Sequence, residues 1–177
     1  MILQEAHDVF LQRIRQRVQS LGDVADDISD LLRAGQLKTS ARNQFRGVVE
    51  QVIPGAVNAD IRLRITSDHL VTAQITEESL NSLAIEPGHT LIALIKAPAV
   101  MLSSDLDIKL SSSNKLVGTV SRITRGAVNA DVVLALDDGK TISAIISNRS
   151  LDEMELQEQQ QACALFEASS VVLVVDV

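Results

Sequence analysis

Three short stretches of this sequence carry residue types that could hold an anion. Thr39-Ser40-Ala41-Arg42-Asn43-Gln44 is a polar run around one cation, Thr76-Glu77-Glu78-Ser79 sets two hydroxyls three residues apart, and Leu94-Ile95-Lys96-Ala97-Pro98 brings a second cation to the end of an apolar stretch. A tetrahedral dianion offers only acceptors, so a site for one must be built of donors. Here Arg42 and Lys96 would supply charge, and Ser40, Thr76 and Ser79 hydroxyls. Backbone N–H groups at the cap and at Ala97 would complete the set. The same residues also have plain readings: Arg42 as a solvated surface residue, Lys96 as a charge guarding an edge strand, and Thr76 with Ser79 as a helix cap. Spacing alone leaves both open.

Other chemistries lack their residues. The single cysteine, Cys163, excludes an internal disulfide or a Cys-rich zinc site, and its flanks Ala162, Ala164 and Leu165 mark it as a small core residue. His7, His69 and His89 are scattered without metal-ligand spacing and read as surface or turn residues, so no metal-cation site is expected. There is no nucleophile–base pair, no obvious carboxylate pair and no Walker A sequence, so no enzyme is expected. The net charge is −7, with five basic against nine acidic residues in 111–177 alone, and Trp and Tyr are absent. Phosphate-backbone binding wants a basic surplus and single-strand binding wants aromatic platforms, so direct nucleic-acid binding by this chain is not expected. Neither a signal peptide nor a membrane span is legible, and a cytoplasmic protein is the expectation.

The elements that must position the donors follow from periodicity. Leu3, Ala6, Phe10, Ile14, Val18 and Leu21 recur at helical spacing, and Val24, Ile28, Leu31 and Leu32 form a second stripe between Asp23 and Gly35. These helices, a segment over 1–38, cannot bury their stripes on each other alone and are expected to serve as a dimer contact. Beyond it, Gly55-Ala56-Val57-Asn58-Ala59-Asp60 returns unchanged as Gly126-Ala127-Val128-Asn129-Ala130-Asp131. At the same shift Ser40 pairs with Ser111, Asn43 with Asn114, Gly47 with Gly118, Ser79 with Ser150 and Leu94 with Leu165. The chain is therefore a helical head followed by one unit written twice, over 39–106 and 111–177, with a connection too short to part the copies. Each unit reads as five short strands, including 70–75 or 141–146, with one short helix N-capped by Thr76 or Ser147. That pattern predicts a mainly β protein of two tandem OB-like five-stranded barrels, each closed on itself.

The Thr39–Gln44 run, the twice-used Gly-Ala-Val-Asn-Ala-Asp and Lys96-Ala97-Pro98 resemble the tandem Mop (TOBE-type) domains of molbindins and of ModE-type molybdate-responsive transcription regulators. The resemblance covers 39–177. The helical head is similar to the segment that, in those regulators, joins a winged helix-turn-helix to the Mop pair and helps form a homodimer; this chain holds no such DNA-binding domain. The resemblance implies a molybdate sensor, with tungstate as a possible substitute and no organic cofactor. It assigns oxyanion contacts to Ser40, Arg42, Lys96 and Ala97 of one chain and to Thr76 and Ser79 of the other. In the second unit Ser113 replaces Arg42 and Glu167 replaces Lys96, and a carboxylate repels a dianion, so that unit departs from the pattern. Two other expectations remain beside the sensor: a molbindin-type storage protein, and a non-binding accessory module of a transporter.

Overall fold

The computed structural model describes residues 37–175. The chain divides into two units, Met1–Thr39 and Ser40–Val177, and the helices expected over 1–38 lie almost wholly outside the described residues. Both repeats fall in the second unit. The first contributes β1 (Asn43–Pro54), β2 (Asn58–Arg64), β3 (Leu70–Thr76), α1 (Glu77–Ser82), β4 (Thr90–Ile95) and β5 (Met101–Ser103). The second contributes β6 (Asn114–Arg125), β7 (Asn129–Ala135), β8 (Thr141–Ser147), α2 (Asn148–Glu153), β9 (Gln161–Phe166) and β10 (Val172–Val175). A one-turn 3-10 helix precedes each last strand, at Ala97–Ala99 and Ala168–Ser170. The result is the predicted mainly β architecture of two OB-like five-stranded sheets.

Alternation places the core. Along β2, Ala59, Ile61 and Leu63 point inward while Arg62 and Arg64 face out. On β1 the alternation changes phase part-way along the strand. Val48 is 47% exposed, and Phe45 and Val49 are the inward residues. The pairing of β1 with β2 then slips between Val49 and Gln51, a bulge that reverses the alternation and returns Val52 towards the core. The bend lets one strand serve two neighbours, since Asn43–Val48 pair with β4 and Val48–Pro54 with β2. Gly47 sits at this crowded point. A Cβ there would lie 2.8 Å from the Arg64 carbonyl oxygen, and one on Gly118 would lie 2.6 Å from that of Ala135, so both copies need a glycine.

The closure of each unit on its own five strands does not occur. The sheets run β10-β4-β1-β2-β3 and β5-β9-β6-β7-β8: each repeat lends its last strand to the other. Val172 pairs with Leu94 and Val175 with Leu91, while Met101 pairs with Leu165 and Ser103 with Cys163. The cause lies between the strands. Lys96 and the 3-10 turn starting at Ala97-Pro98 lead into an extended Val100 (φ −92°, ψ 119°) rather than into a hairpin, and the neighbouring copy offers an edge with the same inward pattern. Cys163, on that receiving edge, is buried as expected.

Each sheet's other edge is covered by a buried asparagine of the opposite repeat. Asn114 accepts from Thr72 N through Oδ1 at 2.7 Å and donates from Nδ2 to the Thr72 carbonyl at 2.8 Å. Asn43 makes the same pair with Ser143, at 2.7 and 2.9 Å. An edge that would otherwise recruit a foreign strand is thereby satisfied inside the chain.

The two turns after β2 and β7 also meet. Thr66 Oγ1 donates to Asp137 Oδ1 at 2.8 Å, Ser67 Oγ to Asp137 Oδ2 at 3.0 Å, and Asp68 N to the same oxygen at 3.1 Å. His69 Nδ1 contacts Asp137 Oδ1, and Nε2 faces the Val117 carbonyl at 3.0 Å. His69 does lie in a turn, but its side chain is only 13% exposed. Burial works to raise the Asp137 pKa. The donors Thr66, His69, Asp68 N and Ser67 outweigh it and hold the carboxyl well below the usual carboxylate range. A depressed carboxylate pKa gives stability that is complete above the unfolded value, about 4, and is lost as pH falls below it. Thermal unfolding should therefore show the chain losing stability from about pH 4 downwards, with a shallower loss in Asp137→Asn; identical acid slopes for the two would count against this.

Candidate functional site

The register of β1 on β4 decides which donors meet. Asn43 pairs with Ile95, so the residues just before Asn43 and just after Ile95 emerge side by side at one end of the sheet. Ser40, Arg42, Lys96 and Ala97 are gathered there. Ser40, Arg42 and Lys96 are exposed. Ala97 is 2% exposed and opens the 3-10 turn that Lys96 caps through its backbone, with Ala99 N donating to the Lys96 carbonyl at 2.9 Å. The register thus brings two cations, Arg42 and Lys96, to one end of the sheet on a chain that is acidic overall.

Thr76 and Ser79 are not part of that cluster. Thr76 pairs with Asn58, beyond the far end of β1, where Pro54 pairs with Ala59. Glu77 N donates to the Val57 carbonyl at 3.0 Å, which ties the start of α1 to the duplicated Gly-Ala-Val-Asn-Ala-Asp turn. Within one repeat the six residues thus form two groups at opposite ends of a twelve-residue strand. The hydroxyls also differ in what they have left to give. Thr76 Oγ1 accepts from Ser79 N at 3.1 Å and donates to Ser79 Oγ at 2.9 Å, so its proton is spent and it is the helix cap. The Ser79 hydroxyl proton is not used in that pair and is available to an acceptor.

Arg42 fits neither sequence reading fully. Its side chain is 48% exposed, yet Nη2 lies 3.0 Å from Asp131 Oδ2 in the second repeat. Arg122 Nη2 approaches the same oxygen at 3.5 Å. Sequence reasoning passed over Asp131, although the residue closes the duplicated hexapeptide; a contact between the copies has no signature in the spacing of either.

The second repeat reproduces the backbone and inverts the charge. Ser147 caps α2 by accepting from Ser150 N at 3.0 Å, and Glu167 begins its 3-10 turn with φ −75° and ψ 145°, against −71° and 134° for Lys96. Where the first repeat presents a guanidinium and an ammonium, the second presents Ser113 and a carboxylate. Among the described residues no helix is long and apolar enough to cross a membrane.

Strand-exchanged tandem OB-like five-stranded sheets define a class of small, mainly β proteins. A family model, the TOBE domain, matches residues 39–102 and again 110–173, and the chain belongs to that family. It is 35% identical over 167 residues to the molybdenum transport protein ModE of Azotobacter vinelandii, a match covering 93% of this chain and 62% of that one. It is 42% identical over 138 residues to the molybdenum-pterin-binding protein MopA of Rhodobacter capsulatus, covering 77% and 52%. A solved structure of the cytoplasmic molybdate-binding protein ModG, with molybdate bound, is similar at a TM-score of 0.76 and 39% identity over 79% of this chain and all of that one. The chain spans about half to three-fifths of the length of these curated relatives.

Proposed function

We propose that this chain is the molybdate-sensing part of a dimeric, molybdenum-responsive regulator of the ModE type, acting in the cytoplasm and catalysing no reaction. The observation that carries the reading is the split donor set. Arg42, Lys96, Ser40 and the Ala97 backbone gather at one end of β1, and the unspent Ser79 hydroxyl with Thr76 stands at the other. A tetrahedral dianion with four acceptor atoms is enclosed only when the second group comes from another copy, so ligand binding would hold two chains in one arrangement. Relatives named for molybdenum transport and molybdenum-pterin binding, and a ModG structure holding molybdate, support molybdate as the anion. The match to ModE of Azotobacter vinelandii extends over 167 residues and so reaches into residues 1–38, which favours a regulator over a storage protein built of Mop domains alone. Signalling to DNA would pass through a winged helix-turn-helix outside this sequence.

Calorimetric titration with molybdate, tungstate and sulfate, alongside light scattering, tests the reading. The expected result is one tight molybdate per chain, two per dimer, with tungstate in its place. Two or more tight sites per chain would favour storage, and no oxyanion binding would leave an accessory module.

A further inference from the structure

We propose that Asp131 is a built-in competitor for Arg42, a carboxylate that the oxyanion must displace, and that it thereby sets the ligand concentration at which the site fills. The inference rests on the reading of Arg42 as an oxyanion contact. Three observations carry it. Asp131 holds Arg42 by one terminal contact, Nη2 to Oδ2 at 3.0 Å, rather than by the two-point fork that would fix the guanidinium for good. Its other oxygen, Oδ1, is buried without a hydrogen-bond partner, so the carboxylate gains little from its surroundings apart from the arginines. Arg122 stands 3.5 Å from the same Oδ2, ready to close on it when Arg42 turns away.

The exchange conserves ion pairs. Before it, Asp131 neutralises Arg42; after it, a doubly charged oxyanion does so, and Arg122 neutralises Asp131. A dianion attracts the guanidinium about twice as strongly as a monoanionic carboxylate at equal distance, so the exchange runs towards ligand once enough is present. Duplication supplies a control within the chain. Asp60 occupies the equivalent place in the first repeat, but the residue equivalent to Arg42 is Ser113, and the Asp60 carboxylate accepts from Gln74 Nε2 at 3.2 Å and meets no arginine within ion-pair distance among the described residues. The second copy's carboxylate thus faces the first copy's arginine, the one assigned to the ligand, while the first copy's carboxylate has only a serine at the equivalent place.

Molybdate titrations of the full chain and four variants test this. Asp131→Asn, which keeps the side-chain shape, should bind roughly threefold to tenfold more tightly, the scale of a half-exposed ion pair that no longer has to be broken. Arg122→Ala should bind more weakly, because the displaced carboxylate loses its second partner. In the Arg42→Ala background, Asp131→Asn should change the affinity less than about twofold, since the competition then has no object. Unchanged or weaker binding in Asp131→Asn alone would overturn the proposal and make Asp131 a residue that steadies Arg42. Failure of the underlying reading looks different: Arg42→Ala would then bind as tightly as the parent, or the parent would not bind at all.

Discussion

Replacing Arg42 by alanine should weaken molybdate binding by roughly ten- to a hundredfold or slightly more, corresponding to about 1.5–3 kcal/mol for a charge-assisted hydrogen bond. Arg42 directly precedes Asn43 at the strand end where Ser40, Lys96 and Ala97 gather, and no other side chain of that cluster offers a planar, multi-donor group. Its fold role is small. Half exposed and bound to Asp131 by a single contact, it contributes an ion pair of the surface kind, worth at most about 1 kcal/mol. Thermal unfolding of Arg42→Ala should therefore differ little from the parent while the binding isotherm shifts strongly. Ser113→Ala, at the equivalent place in the second repeat, should alter neither. Equal affinity in Arg42→Ala and the parent would remove the site from this end of the sheet.

Asn114→Ala should have the largest effect on stability among single polar changes. The side chain is 2% exposed, and its amide is the partner of both Thr72 N and the Thr72 carbonyl, at 2.7 and 2.8 Å. Truncation leaves the half-buried Thr72 N–H and carbonyl on the β3 edge without their partner. Each buried group left unsatisfied costs about 1–3 kcal/mol, so a loss of roughly 2–4 kcal/mol is expected, a fall in Tm on the order of 6–15 °C. Asn114→Asp keeps the acceptor for Thr72 N and loses the donor to the carbonyl, so it should also destabilise, in spite of its equal size. Urea and thermal unfolding of both variants, with exposed Asn81→Ala as the control, would measure this. A loss under about 1 kcal/mol in Asn114→Ala would show that the edge is satisfied in another way. The same change at Asn43 should cost a similar amount, since it makes the matching pair with Ser143.

These two asparagines show where sequence reasoning stopped. Their pairing at the repeat shift was visible, as was that of Gly47 with Gly118, but nothing in the spacing said that each amide reaches across to the other copy. The strands, the capped short helices and the small buried Cys163 were legible because they depend on local periodicity, capping and the apolar flanks of a residue. The exposure of Val48 was not legible, because a bulge inserts one residue into the alternation and a period-two pattern carries no marker of where it will slip. His69 was read as an unremarkable turn residue. Its partners, Asp137 and the Val117 carbonyl, are 68 and 48 residues away.

What the sequence determined by itself is the repeated unit and its chemistry. A six-residue identity and a gapless shift define two copies, and Ser113 and Glu167 at the places of Arg42 and Lys96 separate a copy with two cations from one that has a hydroxyl and a carboxylate instead. What only the tertiary structure decided is the assembly of those copies: the exchange of β5 and β10, the asparagines on β3 and β8, and the hold of Asp131 on Arg42. The reason is one of degeneracy. Two copies with the same inward pattern present two acceptable edges to every last strand, and local sequence scores them alike. The choice depends on where the chain after Lys96 and Glu167 is aimed and on contacts between residues about forty to a hundred positions apart, which no window of the sequence contains.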